Sequence, residues 1–215
     1  MSESSQDNDS SSEQNGIRTR LSEYLDEIGT YLRVTRARRI LRRYFAMNAF
    51  DGSMTSLGVV IGAYITNIVD PMAVIGVIMV SGIAMAVSGF SGTYMTESAE
   101  RNRSLNELEE AMLTNLDDTI YGEASRFVAI FAALVDGSAP FLASIPAVIP
   151  FYLSYIGILP GGIAFAASIG ASLLTLFLLG VFLGRVSDGN VLYSGVKMVI
   201  AGIAVALLAL LLNAH

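Results

Sequence analysis

The sequence predicts an all-α integral membrane protein with five transmembrane helices. Hydrophobic residues make up 53% of the 215 positions and charged residues only 15%, which does not suit a water-exposed surface. Five apolar runs approach or exceed the ~20 residues that a helix needs to cross a bilayer. The 13 lysines and arginines all fall at one predicted side of these runs, with Lys197 just inside the fifth, so the N-terminus is expected in the cytoplasm.

The composition excludes several classes of protein and of metal site. Cysteine is absent and the single histidine is the terminal residue, so a disulfide, a redox pair and a closed zinc cage of Cys and His are excluded. The net charge of −6 comes from a polar N-terminus and one internal acidic segment, without the basic patch of a nucleic-acid-binding protein. We therefore expect no nucleic acid among the partners.

The segment before the first apolar run has two parts. Met1–Gly16 is polar and acidic and is expected to form a disordered tail. Residues 17–43 carry apolar side chains at three- and four-residue steps, which predicts an amphipathic helix on the membrane surface. Its second half holds six arginines that either bind anionic lipid or only set the topology: Arg33, Arg36, Arg38, Arg39, Arg42 and Arg43.

The first predicted span, Tyr44–Val69, contains one ionisable residue, Asp51. A carboxylate at membrane depth costs roughly 3 kcal/mol or more to insert, so Asp51 is expected to face protein, water or a bound cation. Asp51 is therefore the first candidate for a functional residue. Alternatively, Asp51-Gly52-Ser53 has turn chemistry and caps a break in the helix.

The second predicted span, Met72–Tyr94, is followed by an acidic cytoplasmic segment at residues 95–126. Small residues at three- and four-residue spacing allow the span to pack closely on its neighbours. In the acidic segment, Glu100, Glu107 and Glu110 can share one helical face and collect a divalent cation. A solvated acidic helix explains the same run without a metal.

Three further spans complete the prediction, at Phe127–Tyr152, Ile163–Gly184 and Leu192–Leu212. The third span contains three prolines, each of which removes a helical hydrogen bond. This helix is therefore predicted to be kinked or broken. The prolines are Pro140, Pro146 and Pro150.

A short motif recurs in the first and third spans, as Asp51-Gly52-Ser53 and Asp136-Gly137-Ser138. Each aspartate lies about eight to ten residues after the arginine at its cytoplasmic boundary, so the two carboxylates are expected at similar depth. Spans one and two would then form a parallel repeat with spans three and four, a plan found in transporters. Two such carboxylates together can hold one proton or one cation. Nearby thioethers, including Met54, either favour Fe²⁺ or only pack.

Several segments in order resemble one known family. They are FDGSMT at residues 50–55, SGFSGTYMTESAER at 88–101 and GSAPFL at 137–142. Gly184-Arg185 and Ser194–Met198 follow before the fifth span. Over about residues 43–212 the chain thus resembles the vacuolar iron transporters, which are dimeric five-span exporters of Fe²⁺ and Mn²⁺ driven by protons.

The resemblance implies a transport site made by Asp51, Met54, Thr93 and Asp136. Asp51 matches the transport-site aspartate of that family, whereas Thr93 and Gly89 stand where the family has glutamate and methionine. Asp136 is expected to replace the carboxylate missing from span two. The metal-collecting domain of the family is shortened here to about 30 residues. The predicted metal ligands are Asp51, Asp136, Glu97, Glu100, Glu107 and Glu110.

These observations predict a transporter in a prokaryotic cell membrane that exports Fe²⁺ or Mn²⁺ by proton antiport. It is not expected to be an enzyme or to hold a permanent cofactor, and its expected partners are the metal ion, the bilayer and a second copy of the chain. One alternative is a non-transporting membrane scaffold that has lost the ligands. Another is an intramembrane aspartyl hydrolase with Asp51 and Asp136 as its dyad.

Overall fold

The computed structural model describes residues 26, 28–35, 37–187 and 189–213. Within these residues the chain forms helices and no strand. A helical stretch at residues 28–34 precedes five long helices. The tail at Met1–Gly16, the start of the surface helix and Arg36 lie outside the described residues. The helices are α1 (Arg38–Ile65), α2 (Pro71–Met112), α3 (Ile120–Tyr155), α4 (Gly161–Val186) and α5 (Val191–Asn213).

Four helices, α2 to α5, are long and apolar enough to cross a membrane. Helix α1 is also long enough, with 28 residues, but does not reach the same apolar character. Its polar residues include Asn48, Asp51, Ser53 and Ser56, and both serines are buried against other parts of the chain. The described residues therefore form an all-helical protein with four candidate membrane spans.

The acidic segment is mostly a continuation of the neighbouring helices. Helix α2 runs on past the predicted end of span two to Met112, and α3 begins at Ile120. Residues 93–112 include no glycine or proline and are rich in good helix formers, so nothing in the sequence stops the helix. The predicted acidic segment at 95–126 thus comprises the end of α2, a short connection and the start of α3. Glu109 of α2 accepts a hydrogen bond from the Leu116 amide of the connection at 2.7 Å.

The third span was predicted to be kinked or broken, and of these two a break is wrong, because α3 is one helix of 36 residues that includes all three prolines. Neighbouring helices supply hydroxyl donors to its carbonyl groups near these prolines. Ser168 Oγ donates to the Ala147 carbonyl at 2.7 Å, and Ser53 Oγ approaches the Ala143 carbonyl at 3.4 Å. Proline is tolerated in membrane helices where such partners meet the backbone polar groups.

The chain divides into two compact units. Of the described residues, one unit comprises those up to Arg38 together with Ser98–Ala129, and the other comprises Arg39–Glu97 together with those from Ile130 onwards. In the first unit, the Tyr31 and Phe127 rings lie 5.5 Å apart, and an exposed ion pair of 2.7 Å joins Arg126 to Asp117. The second unit contains most of the apolar helices and the residues of the candidate site.

In the second unit, α1 and α3 pack side by side and run in the same direction. Asn48 and Ser53 of α1 hydrogen-bond to residues 88 and 90 positions later on α3, so the contacts advance together along both helices. Between them, a Cβ atom on Gly52 would lie 2.5 Å from the Cα of Pro140. Only glycine allows this distance between the two helices, since a Cβ would require the backbones to move apart.

Candidate functional site

The buried carboxylate of Asp136 lies where α1, α2 and α3 meet. The residue is only 4% exposed. Asn48 of α1 donates its side-chain amide to Oδ1, and Thr93 of α2 donates its hydroxyl to Oδ2 at 2.6 Å. The three residues are called the Asn48–Asp136–Thr93 cluster below. One carboxylate thus accepts hydrogen bonds from two other helices.

Glycine makes room for this carboxylate. A Cβ atom on Gly89 would lie 3.3 Å from Asp136 Oδ2, and one on Gly137 would lie 2.6 Å from the Ala86 carbonyl oxygen. Helices α2 and α3 therefore approach closely at the cluster. The structure thus brings together Gly89, Thr93 and Asp136.

Asp51 has different surroundings from Asp136. It follows Asn48 by three residues on α1, and its side chain is exposed. In the described part of the chain it makes no hydrogen bond or ion pair. Met47, which is 53% exposed, and Thr55, which is also exposed, lie one turn before and one turn after it on the same face of α1.

The two aspartates do not form a hydrogen-bonded pair. Asp136 is level with Asn48, so Asp51 lies about one helical turn further along α1. That the two carboxylates lie at similar depth in a membrane stays a prediction. The shared motif nevertheless produces two different environments, because Asp136 points into the bundle and Asp51 is exposed.

Met54 is half-buried and packs against the apolar cluster of Leu57, Ile61 and Leu176. Its thioether therefore contributes to packing between α1 and α4. The four glutamates predicted as metal ligands differ from one another in exposure and in their contacts.

Glu97 is 7% exposed and accepts a hydrogen bond from the Tyr44 hydroxyl at 2.8 Å. Glu107 forms an exposed ion pair of 2.9 Å with Arg103, one turn away on the same helix. Glu100 and Glu110 are exposed. The described residues contain no group of three Asp, Glu, His or Cys side chains that could hold a metal ion. The structure therefore does not gather these glutamates into a site.

Sequence reasoning missed Asn48 and Tyr44, which provide the α1 partners of Asp136 and Glu97. Both residues are polar, lie in the apolar run around Asp51 and are four residues apart. The Asn48 amide also donates to the Tyr44 carbonyl at 3.3 Å, which links the two contacts along one face of α1. The signal that could have predicted these contacts is the pair of polar residues, Tyr44 and Asn48, at helical spacing in an apolar run.

Comparison with known proteins identifies one relative. No family model matches the chain, so the resemblance to the vacuolar iron transporters rests on the motifs alone. No solved structure matches it at a significant level. An uncharacterized protein of Methanocaldococcus jannaschii is 34% identical over 175 residues, which cover 80% of this chain and 87% of that protein. The chain therefore belongs to the same family as this archaeal protein.

Proposed function

We propose that this protein is a membrane transporter that exports Fe²⁺ or Mn²⁺ from the cytoplasm by proton antiport, with Asp51 at the transport site. The observation that carries this proposal is the exposed side chain of Asp51, on a helix whose apolar residues pack with all four candidate membrane spans. A carboxylate facing lipid costs roughly 3 kcal/mol or more. Asp51 must therefore face water, another protein surface or a cation.

Helix α1 is the fifth span in this proposal. Its polar side chains argue against a span only if they face lipid, and Ser53 and Ser56 are buried. Its contacts also suit an alternating topology, since it runs parallel to α3, as alternate spans do. The exposed arginines at its start, Arg39, Arg42 and Arg43, support a cytoplasmic position of that end by the positive-inside rule.

The protein acts as a homodimer in this proposal. The face of α1 with Met47, Asp51 and Thr55 is exposed in a single chain. Pairing this face with its copy removes Asp51 from lipid and brings two carboxylates towards one axis. Carboxylate oxygens suit Mn²⁺ and, with other ligands, Fe²⁺. A dimer therefore explains how a single exposed aspartate contributes to a divalent-metal site.

The test is metal flux in proteoliposomes that hold a pH gradient. Mn²⁺ and Fe²⁺ transport by the native chain is compared with Asp51→Asn and with Asp70→Asn. Asp70 accepts a hydrogen bond from the Met72 amide at the start of α2, and asparagine serves that position well, so this variant is a matched control.

We expect gradient-dependent flux that falls at least about tenfold in Asp51→Asn, a factor that corresponds to ~1.4 kcal/mol, and is unchanged in Asp70→Asn. Equal flux in the native chain and Asp51→Asn would contradict the assignment of Asp51.

A non-transporting scaffold is the second candidate. It is favoured by the absence, among the described residues, of three clustered metal-binding side chains. This candidate predicts that the native protein neither binds nor transports Mn²⁺. The aspartyl hydrolase has less support, because Asp136 bonds to Asn48 and Thr93 instead of pairing with Asp51.

A further inference from the structure

We propose that Asp136 is a positioning residue: through Asn48 and Thr93 it fixes α1 against α2 and α3, and thereby sets the position of Asp51, without binding the metal itself. This inference rests on the proposed function for the role of Asp51. It departs from the sequence-based prediction that Asp136 is a metal ligand. Its evidence is the geometry of the Asn48–Asp136–Thr93 cluster.

Both oxygens of the Asp136 carboxylate already accept hydrogen bonds from neutral groups. The Asn48 amide and the Thr93 hydroxyl direct hydrogen atoms towards the carboxylate, whereas a divalent cation needs several oxygen lone pairs directed towards itself. The Asn48 amide nitrogen also cannot act as an oxygen ligand. The groups around the carboxylate are therefore hydrogen-bond donors, which suit a contact between helices and do not suit a cation site.

The cluster is placed where it can control α1. Asn48 and Asp51 belong to the same helical turn, so a rotation or a shift of α1 that breaks the Asn48 bond also moves Asp51. Close packing reinforces the contact, because Gly52, next to Asp51, lies against the Pro140 backbone, one turn after Asp136. Asn48 and Gly52, one turn apart on α1, thus contact two successive turns of α3. Asp51, the candidate metal ligand, lies between these two contacts.

Thr93 extends the constraint to α2. It is buried, and its hydroxyl holds the second carboxylate oxygen at 2.6 Å. Interhelical hydrogen bonds of this kind contribute measurably to helix association within membranes. A carboxylate with two bonds fixes three helices at one point, which a single pair of neutral side chains does not do.

The experiment measures the register of α1 on α3 in the absence of metal. The chain contains no cysteine, so an introduced pair reports one contact only. Ala49→Cys with Ala139→Cys probes the buried α1–α3 contact beside the cluster. Ala147→Cys with Ser168→Cys, at an α3–α4 contact, is the matched control pair. The rate of disulfide formation is measured for both pairs in the full chain, reconstituted in nanodiscs.

Each pair is combined with Asp136→Ala, which removes both bonds, and with the exchange Asn48→Asp plus Asp136→Asn. The exchange keeps an amide and a carboxylate in contact and leaves an oxygen at position 136 for Thr93. Asn48→Ala removes only the α1 donor of the α1–α3 bond, and replaces Asp136→Ala if that variant does not yield folded protein.

We expect Asp136→Ala to slow disulfide formation at the α1–α3 pair at least about threefold, the factor that corresponds to one interhelical hydrogen bond. The control pair is unaffected, and the exchange restores the native rate. In parallel, Mn²⁺ binding to the cysteine-free chain is weakened by Asp136→Ala and recovered by the exchange.

An unchanged rate at the α1–α3 pair in Asp136→Ala, or an equal loss at both pairs, overturns the positioning role. Loss of Mn²⁺ binding at an unchanged rate would instead identify Asp136 as a ligand. Because the disulfide readout requires no metal, it remains decisive if the protein does not transport Mn²⁺.

Discussion

At the scale of single residues, the two aspartates of the repeated motif show that equal sequence does not imply an equal role. Asp136 is buried with two hydrogen-bond donors, whereas Asp51 is exposed. The difference comes from the neighbours that each side chain meets. Asp136 lies opposite Gly89, which leaves space for a carboxylate, while the described residues provide no partner for Asp51.

The different surroundings predict opposite effects on stability. Asp136→Ala leaves the buried Thr93 hydroxyl without its acceptor, at a cost of about 1–3 kcal/mol for a buried unsatisfied group, and removes one of the two acceptors of the Asn48 amide. Asp51→Asn removes an exposed charge and breaks no contact within the chain. We expect the midpoint of thermal unfolding in detergent to fall in the first variant and to stay level or rise in the second. A lower midpoint in Asp51→Asn alone would contradict this assignment of roles.

At the scale of helices, α1 combines a polar sequence with close packing. Its residues Ala49, Gly52, Ser53 and Ser56 are small and buried. Small side chains allow neighbouring backbones to approach, as is usual between membrane helices, where packing replaces the hydrophobic effect as the driving force. The buried polar side chains that make α1 less apolar than the other four helices therefore contribute to contacts within the protein.

The close approach of α1 and α3 predicts the effect of a single methyl group. Gly52→Ala would place a Cβ within 2.5 Å of the Pro140 Cα, so the helices must separate, and overpacking of this kind costs about 1–3 kcal/mol. Gly170→Ala on α4 is the control, because its Cβ would meet nothing within 4 Å and alanine is the better helix former. We expect a lower thermal midpoint only for Gly52→Ala. Equal midpoints would show that α1 and α3 can move apart at little cost.

At the scale of the whole molecule, the exposed face of α1 that contains Asp51 differs from the exposed surface of the apolar helices. Nearly all of the large exposed side chains on α5 are apolar, as expected next to lipid. The α1 face combines Asp51 with Met47 and Thr55. A carboxylate at membrane depth requires a partner other than lipid. In the homodimer proposed above, the second copy is that partner.

The proposed dimer predicts a specific disulfide between two copies. Thr55→Cys, one turn after Asp51 on the exposed face, is expected to form a dimer on mild oxidation in membranes, because two α1 helices meet there. Leu174→Cys on α4 is the control, since that side chain is 58% exposed on another helix. Non-reducing gel electrophoresis measures both. Dimer formation through Leu174→Cys but not through Thr55→Cys would place the interface elsewhere.

The sequence by itself determined that the chain is helical and apolar, approximately where its long helices lie, and that Asp51 is an unusual residue among them. These properties depend on local composition and on residues a few positions apart. It did not locate the helix ends, since α2 continues to Met112, and of the kink or break predicted at the prolines of α3 the break is absent.

Only the tertiary structure decided which polar groups meet. Asn48 and Asp136 are 88 residues apart, and Tyr44 and Glu97 are 53 apart, so their contacts depend on the register between helices. The same register buries Asp136 and leaves Asp51 exposed. Helix register follows from the packing of small residues such as Gly52 and Gly137 against specific neighbours, and no pattern within a single helix encodes it.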